Sequence, residues 1–452
     1  MQRPRRHHLA LSLCLSLCLL GSLPVYPALS AAGEGSPNLL VAEMIAQVQE
    51  SAITAYTGDL SGEWPVWVDA AQYTLSTRST TSGEPIQKAT QYVYDHLQTW
   101  GLSPLFDDWT RFSYSGRNVI GVLPGETTPG EIVLLTAHLD DAPWNGRAPG
   151  ADDNASGSVG VLLAAEILSQ YQFGRTLRFV FFTGEERGLW GSHEYAVEAR
   201  ELGENIVAVC NLDMIGWDAL DGPVVRLHTR SAANPGIVQD TAIAQAFVDT
   251  VTDYNLDLDP LVVADGMTRS DHASFWGQGY PAILAIEDDL NDFNDYYHST
   301  NDRLAWLNLS YFTSFIKAVT GTAAQLAGPV GKSAGPYHAR LEPPASMQWG
   351  DPAEAITYPL MVTNTGSAGD TYTLAAAGNA WAMNYPAQVG PLAPGESLGL
   401  TVTVSIPADA LGGAADIVDF SITSQGSGML VDRAELTTVT HWKVLYLPLV
   451  WR

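Results

Sequence analysis

The sequence predicts an α/β domain followed by a smaller all-β domain. Up to about residue 328, continuous apolar segments alternate with amphipathic helical segments, which is typical of a mainly parallel or mixed sheet with helices on both faces. Beyond that point helical periodicity stops. Short alternating strands between Gly-, Pro- and Asn-containing turns then predict an antiparallel β-sandwich of about 100 residues. A length of 452 residues also suggests two domains rather than one.

Hydrophobic periodicity places the elements of the first domain. Pro85 opens the clearest helix and Gly101 ends it, with apolar residues between them at three- and four-residue spacing. Further helices are predicted at 156–171, 238–254 and about 310–326. The predicted strands are 118–123, 132–137, 177–183, 206–212, 224–228 and 282–286.

Composition divides the chain into five segments. They are a signal peptide (1–32), the α/β domain (33–330), a Gly- and Pro-containing linker (331–342), the β-sandwich (343–443) and an apolar tail (444–452). The sandwich holds no catalytic constellation and is interpreted as an accessory module for binding the cell surface or matrix. The tail is too short for a membrane span, which needs about 20 apolar residues.

The first 32 residues have the pattern of a cleaved secretory signal: three arginines, an apolar run and then small residues. We therefore expect a secreted or cell-surface protein. Because this segment holds three Arg and no acid, its removal changes the formal charge from -27 to -30. Such a charge excludes nucleic acid and anionic membrane surfaces as partners. Cys210 is then the only cysteine, so no intrachain disulfide is expected.

Acids and imidazoles follow several of the predicted strands at the point where each strand ends. Carboxyl ends of neighbouring parallel strands form one edge of a sheet, where ligands bind in open α/β folds. The sequence therefore predicts one polar site at this edge. Its members are His138, Asp140, Asp152, Asp153, Glu185, Glu186, Asp213 and the later His298.

Two histidines and several carboxylates suit zinc, although cobalt or manganese would accept the same ligands. The five candidate ligands are His138, Asp153, Glu186, Asp213 and His298. They exceed the need of one zinc ion, whereas two ions about 3.5–4 Å apart that share a carboxylate would use them all. Asp153, at a helix start, is the favoured bridge. Of the adjacent Glu185 and Glu186, one is expected to ligate and the other to act as general base.

Six segments resemble motifs of the secreted bacterial zinc aminopeptidases of the leucyl aminopeptidase type, peptidase family M28. They are 138–140, 149–157, 183–192, 211–214, 270–275 and 297–302, and the resemblance covers about residues 73–326. The resemblance implies that Asp153 bridges two zinc ions. His138 and Asp213 would complete one ion, and Glu186 and His298 the other.

The resemblance also assigns supporting roles. Glu185 would activate the bridging water, Asp140 would orient the His138 ring, and the Asp153–Asn154 peptide bond would be cis. Residues expected to support the site or contact substrate are Asp140, Asp152, Asn154, Arg269, Asp271 and His272. This chain has Met267 where some relatives carry an oxyanion-stabilising Tyr, which makes Arg269 a candidate donor. The relatives' disulfide around this loop is also missing.

The expected reaction is hydrolysis of peptide bonds at a free N-terminus, with peptides or proteins as substrates. A carboxypeptidase or dipeptidase on the same scaffold is one alternative, and it would need a basic residue such as Arg269 or Arg147 for the substrate carboxylate. A glutaminyl cyclase-like acyltransferase with one zinc is another. The third is a non-catalytic surface binding protein in which the sandwich carries the function. His96, His193 and His228 are interpreted as structural or surface residues.

Overall fold

The structure is a computed structural model that describes residues 37–441, except 70, 143–145, 221, 333–336, 367 and 427–429. The predicted signal peptide (1–32) and apolar tail (444–452) lie outside the described residues. Among the residues described, none of the helices has the length and apolar character that crossing a membrane requires.

Eight α-helices occur in the described residues. They are α1 (Leu39–Ala46), α2 (Glu50–Leu60), α3 (Glu84–Thr99), α4 (Gly157–Leu168), α5 (Trp190–Glu201), α6 (Ile237–Asp253), α7 (His272–Gly277) and α8 (Leu309–Ala327). The four predicted helices correspond to α3, α4, α6 and α8. Helix α4 is buried along its whole length, which explains why its sequence is apolar on every face.

An eight-stranded mixed sheet forms the centre of the first domain. The strands of this domain are β1 (Val66–Val68), β2 (Ala71–Tyr73), β3 (Ser103–Arg111), β4 (Tyr114–Leu123), β5 (Thr128–His138), β6 (Tyr171–Phe173), β7 (Arg175–Phe182), β8 (Asn205–Leu212), β9 (Val224–His228), β10 (Asp259–Val263) and β11 (Ile283–Ile286). The sheet order is β10-β9-β11-β8-β5-β7-β4-β3. Strands β11, β8, β5 and β7 are parallel, and their carboxyl ends therefore share one edge.

The core lies on both faces of this sheet. Val133 and Leu135 of β5 pack into one apolar cluster, which also contains residues of α4 and α8, whereas Leu134 packs into a second cluster with Tyr195 of α5 and Phe275 of α7. The predicted fold class, a mixed sheet with helices on both faces, is confirmed. The polar strand β3, the five-residue strand β10, which begins with Asp259 and Pro260, and helix α5 were missed, because they carry too little apolar periodicity.

The second domain is a β-sandwich. Its strands, together with the connecting β12, are β12 (Pro329–Lys332), β13 (Ala339–Glu342), β14 (Ala345–Gly350), β15 (Ala355–Asn364), β16 (Asp370–Ala377), β17 (Ala382–Asn384), β18 (Gln388–Leu392), β19 (Ser397–Ser405), β20 (Ala415–Ser424) and β21 (Leu430–Thr440). Sheets β13-β15-β19-β17 and β14-β21-β20-β16-β18 enclose a core that includes Tyr358, Val402 and Phe420. All pairs are antiparallel except β14 with β21.

Two parts of the predicted linker, 331–342, are strands. Strand β12 pairs with β6 of the first domain, and β13 pairs with β15 of the sandwich. Both strands were missed because the Gly and Pro residues of this stretch are typical of a linker. The partners that stabilise these short strands are distant in sequence. The sandwich therefore begins at Ala339 and not at residue 343.

The two domains contact each other through polar side chains. Arg340 of β13 donates a hydrogen bond to Gln47 (3.0 Å), and Gln72 donates to the backbone oxygen of Ile417 (3.3 Å). A cavity of about 80 Å³ lies between α2 and α3 on one side and β21 on the other. It is lined by aromatic rings and by several carboxyl groups, so the interface is not a purely apolar seam.

Candidate metal centre

Two groups of metal-ligating side chains meet at the shared edge of the parallel strands. In the first, His138 Nε2 lies 3.3 Å from Asp153 Oδ1 and 3.2 Å from Asp213 Oδ1. In the second, His298 Nε2 lies 3.1 Å from Asp153 Oδ2 and 3.0 Å from Glu186 Oε2. Within each group the ligand atoms are all within 4.8 Å of one another. The structure thus brings together all five predicted ligands, with one oxygen of Asp153 in each group.

The His138 ring is held in the form that suits a metal ligand. Its Nδ1 lies 3.0 Å from the backbone oxygen of Asp140, which can only accept, so Nδ1 carries a proton. The lone pair of Nε2 then points at the carboxylates of Asp153 and Asp213. Burial works against a second proton, but Asp213 and Glu185 are near enough to raise the pKa of His138 well above its usual value. A cation belongs between these atoms.

The second group also fits a metal ion. Glu186 Oε1 is buried and has no hydrogen-bond partner among the described residues, although Oε2 faces His298. Burial and the neighbouring Asp153 raise the pKa of Glu186 to about 7. For His298, burial is outweighed by Asp153 and Glu186, which raise its pKa to about 10. This nitrogen and oxygen donor set is one that zinc accepts.

Glu185 lies on a single turn that follows β7, beside the ligand Glu186. The backbone N–H groups of Glu185 and Glu186 point at the Asp140 carboxylate, at 3.2 and 3.4 Å, and Thr80 donates its hydroxyl to the same group. Asp140 therefore contacts the His138 ring mainly through its backbone, while its carboxylate positions the Glu185 turn. Burial, then Asp271 and Asp213, raise the pKa of Glu185 well above its usual value, despite the opposing effect of His138.

The loop before α4 is fixed by a carboxylate to which the sequence assigned no role. Asp302 accepts hydrogen bonds from the backbone N–H groups of Asp152 (2.9 Å) and Asp153 (3.0 Å). The Asp153–Asn154 peptide bond is cis, as the family resemblance implies. Asn154 Oδ1 accepts from Gly157 N at 2.8 Å, and a Cβ at Gly157 would lie 2.4 Å from that oxygen, so only glycine fits. The sequence clue to Asp302 was that it lies in the 297–302 segment, one of the six segments that resemble family motifs.

Asp152 does not face the substrate side of this site. Its carboxylate is fully buried and accepts hydrogen bonds from Gly216 N (2.9 Å) and Asn294 Nδ2 (2.9 Å). Glu287 is a further buried neighbour, and burial together with Asp152 raises the pKa of Glu287 well above its usual value. Of the two roles expected of Asp152, support of the site and contact with substrate, these bonds favour support, because the backbone turns its side chain under the loop.

The 270–275 segment supplies supporting residues, not ligands. Asp271 is buried near Glu185, and burial raises its pKa to about 7. His272 is also buried and donates from Nε2 to the backbone oxygen of Met267 (2.8 Å); burial lowers its pKa to about 4, so the ring is neutral. Arg269 is exposed and forms no ion pair with any residue that the structure describes.

Tyr297 was missed as a member of the site. Its ring stacks on the His298 imidazole, with centroids 3.7 Å apart and planes inclined by 18°. Burial comes first among the causes that raise the pKa of Tyr297, and nearby carboxylates add to it. These carboxylates are Asp153, Asp213, Glu186 and Glu185. The phenol therefore keeps its proton and is a hydrogen-bond donor beside the ligands.

Comparison with known proteins agrees with this arrangement. Residues 118–323 match the sequence model described as peptidase family M28. These residues form an M28 domain. The resemblance to this family that the sequence motifs suggested is therefore confirmed, and the matched range contains His138, Asp153, Glu186, Asp213 and His298.

Curated relatives of the M28 domain include fungal proteins. "Leucine aminopeptidase 1" of Trichophyton equinum is 30% identical over 229 residues, which is 48% of this chain and 60% of the relative. The protein of the same name from Trichophyton rubrum is 29% identical over the same shares. The chain thus spans about 60% of the length of these curated relatives.

Solved structures with the same fold include two from Legionella pneumophila. The LapA aminopeptidase has a TM-score of 0.55 and 23% identity, and the match covers 69% of this chain and 78% of LapA. LapB has a TM-score of 0.53 and 22% identity, with 64% and 74% covered. At these identities the match establishes the fold of the M28 domain.

Proposed function

We propose that this protein is a di-zinc aminopeptidase that releases N-terminal residues from peptides. The observation that carries the proposal is the Asp153 carboxylate, of which one oxygen faces His138 and the other faces His298. One carboxylate shared by two ligand groups is the arrangement that a two-metal hydrolase requires. The names of the curated relatives, leucine aminopeptidases, support the choice of substrate.

Each zinc ion would be held by three side chains. His138 and Asp213 would hold one, Glu186 and His298 the other, and Asp153 would join both groups. The chemistry that a bound zinc pair supplies is polarisation of the scissile carbonyl and acidification of a water molecule.

Glu185 moves the proton. Its carboxylate takes a proton from the attacking water and returns it to the leaving amine, because it lies next to Glu186 without being needed as a ligand. The raised pKa brings this group nearer to the operating pH, where a general base is most effective. The Asp140 carboxylate keeps the Glu185 turn in place through two backbone N–H groups.

Tyr297 is the donor that we assign to the developing oxyanion. Its ring is protonated and stacks on the ligand His298, and we expect its hydroxyl to donate to the oxygen of the reacting carbonyl. Tyr297, which precedes His298 in the sequence, then supplies the phenol that is missing at Met267. Arg269 is exposed and is not needed for this role.

The carboxypeptidase alternative is disfavoured by the two arginines that it would use. Arg269 is exposed, and Arg147 is exposed with its guanidinium directed to the backbone oxygen of Gly62 (3.3 Å) and to Glu63 (3.9 Å).

The test combines metal analysis with a pair of substrates. The purified protein is expected to contain two zinc ions per chain and to hydrolyse leucyl anilide but not N-acetyl-leucyl anilide. Glu185→Gln should retain zinc and lose kcat/KM by about 10²- to 10⁴-fold, the usual contribution of a general base. Glu201→Gln, an exposed Glu to Gln change on α5, is the matched control and should keep full activity.

Four results would overturn the proposal. Absence of bound metal, or full activity of Glu185→Gln, would remove the mechanism. Equal rates on the free and N-acetylated anilides would remove the aminopeptidase assignment, and cyclisation of glutaminyl peptides by a one-zinc protein would favour the acyltransferase alternative.

We also propose that the chain is exported after removal of residues 1–32. The basic, apolar and small-residue order of that segment supports this. N-terminal sequencing of protein recovered from the medium should begin close to residue 33, and retention of the intact leader on cell-associated protein would contradict it.

A further inference from the structure

His228 is a buried histidine outside the metal centre, at the end of β9, and both of its ring nitrogens face carboxylates. Nδ1 lies 3.0 Å from Asp265 Oδ2, and Nε2 lies 3.4 Å from Asp289 Oδ1. A neutral imidazole has one N–H and can donate to only one of them. The doubly protonated ring satisfies both, and no side-chain surface of His228 is exposed.

Other titratable groups near the His228 ring also affect its charge and that of its carboxylate partners. Arg226, two residues earlier on β9, lies 2.6 Å from Asp288 and 3.5 Å from Asp289. His272, on α7, is neutral, because burial and then the charge of His228 lower its pKa. Burial also opposes the charge on His228, yet Asp289 and Asp265 outweigh it and raise the pKa of this ring above 6.5.

One of the two carboxylates fixes a loop that borders the metal cleft. Asp265 belongs to the first cleft loop, residues 264–271, and its Oδ1 accepts from Met267 N at 3.0 Å. The backbone oxygen of Met267 accepts from His272 at 2.8 Å, and Gly266 N donates to Thr229 O at 3.0 Å. Met267 is therefore held from both sides of its backbone.

The side chain of Met267 connects this loop to the ligands. It packs on the small apolar cluster of Met214, Leu284 and Ile286. Met214 directly follows Asp213 in the sequence, so a shift of the first cleft loop would alter the wall beside that ligand.

The second carboxylate belongs to the other side of the cleft. Asp289 lies in the second cleft loop, residues 287–298, which ends at the ligand His298. Asp292 of the same loop accepts hydrogen bonds from Trp217 Nε1 (3.1 Å) and Ala219 N (2.7 Å). His228 is thus a direct link between the two loops.

We propose that His228 is a positioning residue whose paired imidazolium joins the two cleft loops and fixes the substrate-binding cleft between them. Cys210, the cysteine among the described residues, is free, so no disulfide closes the first cleft loop there. The ion-pair link restricts this loop before substrate binds, as a covalent closure would. Its kinetic consequence rests on the proposed aminopeptidase function, whereas its effect on the loops does not.

The test uses the full-length, zinc-loaded protein and the variants His228→Gln, Asp265→Asn and Asp289→Asn. His228→Gln should keep its zinc and raise KM for leucyl anilide about tenfold with kcat changed less than about threefold, because loop placement and not chemistry is disturbed. Amide hydrogen exchange of residues 264–271 should become about tenfold faster. His193→Gln on α5, outside both loops, is the matched control and should change neither quantity.

The pH profile separates this role from simple destabilisation. In the wild type the link is complete below the usual histidine pKa and is lost as pH rises through the raised pKa of His228. The ratio of KM in His228→Gln to KM in the wild type should therefore fall toward one at high pH. Asp265→Asn in the His228→Gln background should add almost nothing, because the pair acts as a unit.

Unchanged KM and unchanged loop exchange in a folded, zinc-containing His228→Gln protein would overturn the proposal. If that variant does not fold, Asp265→Asn and Asp289→Asn decide in the same way, since each removes one end of the link. If the wild type has no aminopeptidase activity, the proposed function fails, and the exchange measurement alone decides the role of His228.

Discussion

The metal cleft and the interface between the domains both gather buried carboxyl groups, but they give these groups different partners. In the cleft, Asp153 faces two imidazole nitrogens. At the interface, Asp59 accepts from the Tyr92 hydroxyl (2.5 Å), and Asp432 accepts from the backbone N–H of Leu341 (2.5 Å). The imidazole partners in the cleft favour the ionised form of Asp153. The interface acids instead accept hydrogen bonds from a phenol and from a backbone amide.

The pKa values follow the partners. Hydrogen bonds from His138 and His298 outweigh burial and lower the pKa of Asp153. Burial raises the pKa of Asp59 to about 6, and burial together with Glu166 raises that of Asp432 to about 8. The interface also contains a histidine, His96, but burial lowers its pKa to about 4, so it supplies no charge. In this protein the buried acids that face imidazoles form the candidate metal centre, whereas the interface acids have no charged imidazole near them and burial raises their pKa values.

Removal of the shared carboxylate should have the largest effect on the cleft. In Asp153→Asn one side of the residue becomes an NH₂ group, which cannot ligate, so one of the two zinc ions should be lost. We expect kcat/KM to fall by at least about 10³-fold, the scale of losing a unit of the catalytic machinery. Zinc analysis and anilide kinetics measure both. Asp249→Asn, an exposed acid on α6, is the control, and two retained ions in Asp153→Asn would contradict the bridging role.

A smaller effect is expected from the residue that supports this bridge. Asp302→Asn leaves one acceptor for the two backbone N–H groups of Asp152 and Asp153, so the loop loses part of its support. Zinc affinity, measured by competition with a chelator, should fall by about 10- to 100-fold, as for other residues that orient metal ligands. Asp295→Asn, exposed in the second cleft loop, should have no effect. Unchanged affinity in Asp302→Asn would mean that the loop holds its shape without this carboxylate.

The stability that the interface contributes should fall as pH rises. Because the pKa of Asp432 in the folded protein is about 8 and its ordinary value is 3.8, its contribution to stability is complete below about pH 4 and is lost as pH rises through about 8. Urea unfolding of the zinc-saturated protein should therefore give a lower free energy of unfolding at about pH 8 than at about pH 5.

Asp432→Asn should reduce this pH dependence. At about pH 5 the variant should be less stable by about 1 kcal/mol, because one amide oxygen must serve the N–H groups of both Leu341 and Arg433. At about pH 8 the deficit should shrink or reverse. Asp409→Asn, an exposed acid of the sandwich, should follow the wild type, and an equal pH dependence in Asp432→Asn would show that another interface acid titrates.

The sequence predicted the elements whose apolar residues recur at a regular spacing. The strand prediction 224–228 matches β9, and the helix prediction 238–254 differs from α6 by one residue at each end. It was less successful with β3, whose exposed polar residues interrupt the alternation, and with β10, a five-residue strand that begins with Asp259 and Pro260. It also missed β12 and β13, which depend on partners far away in sequence. Periodicity reports burial, and it fails where an element is stabilised mainly by its edge contacts.

The candidate site divides in the same way. His138, Glu186 and Asp213 were predicted because each stands at or just after the end of a buried strand, and parallel strands bring such ends together by geometry alone. The loop backbone decided that Asp153 faces both ligand groups while its neighbour Asp152 turns underneath. Asp302 accepts from the Asp153 N–H, and Asp152 accepts from Asn294 and from Gly216. Two adjacent aspartates look equivalent in a sequence.

What the sequence by itself determined was six of the eight strands of the sheet, four of the helices and the edge at which the ligands collect, since these depend on local periodicity and on the direction of strands. Only the tertiary structure decided which acids face imidazoles and which face phenols, and that His228 lies between Asp265 and Asp289. The physical reason is that charge, protonation and metal affinity depend on neighbours within a few ångströms, which are supplied here by segments far apart in the chain.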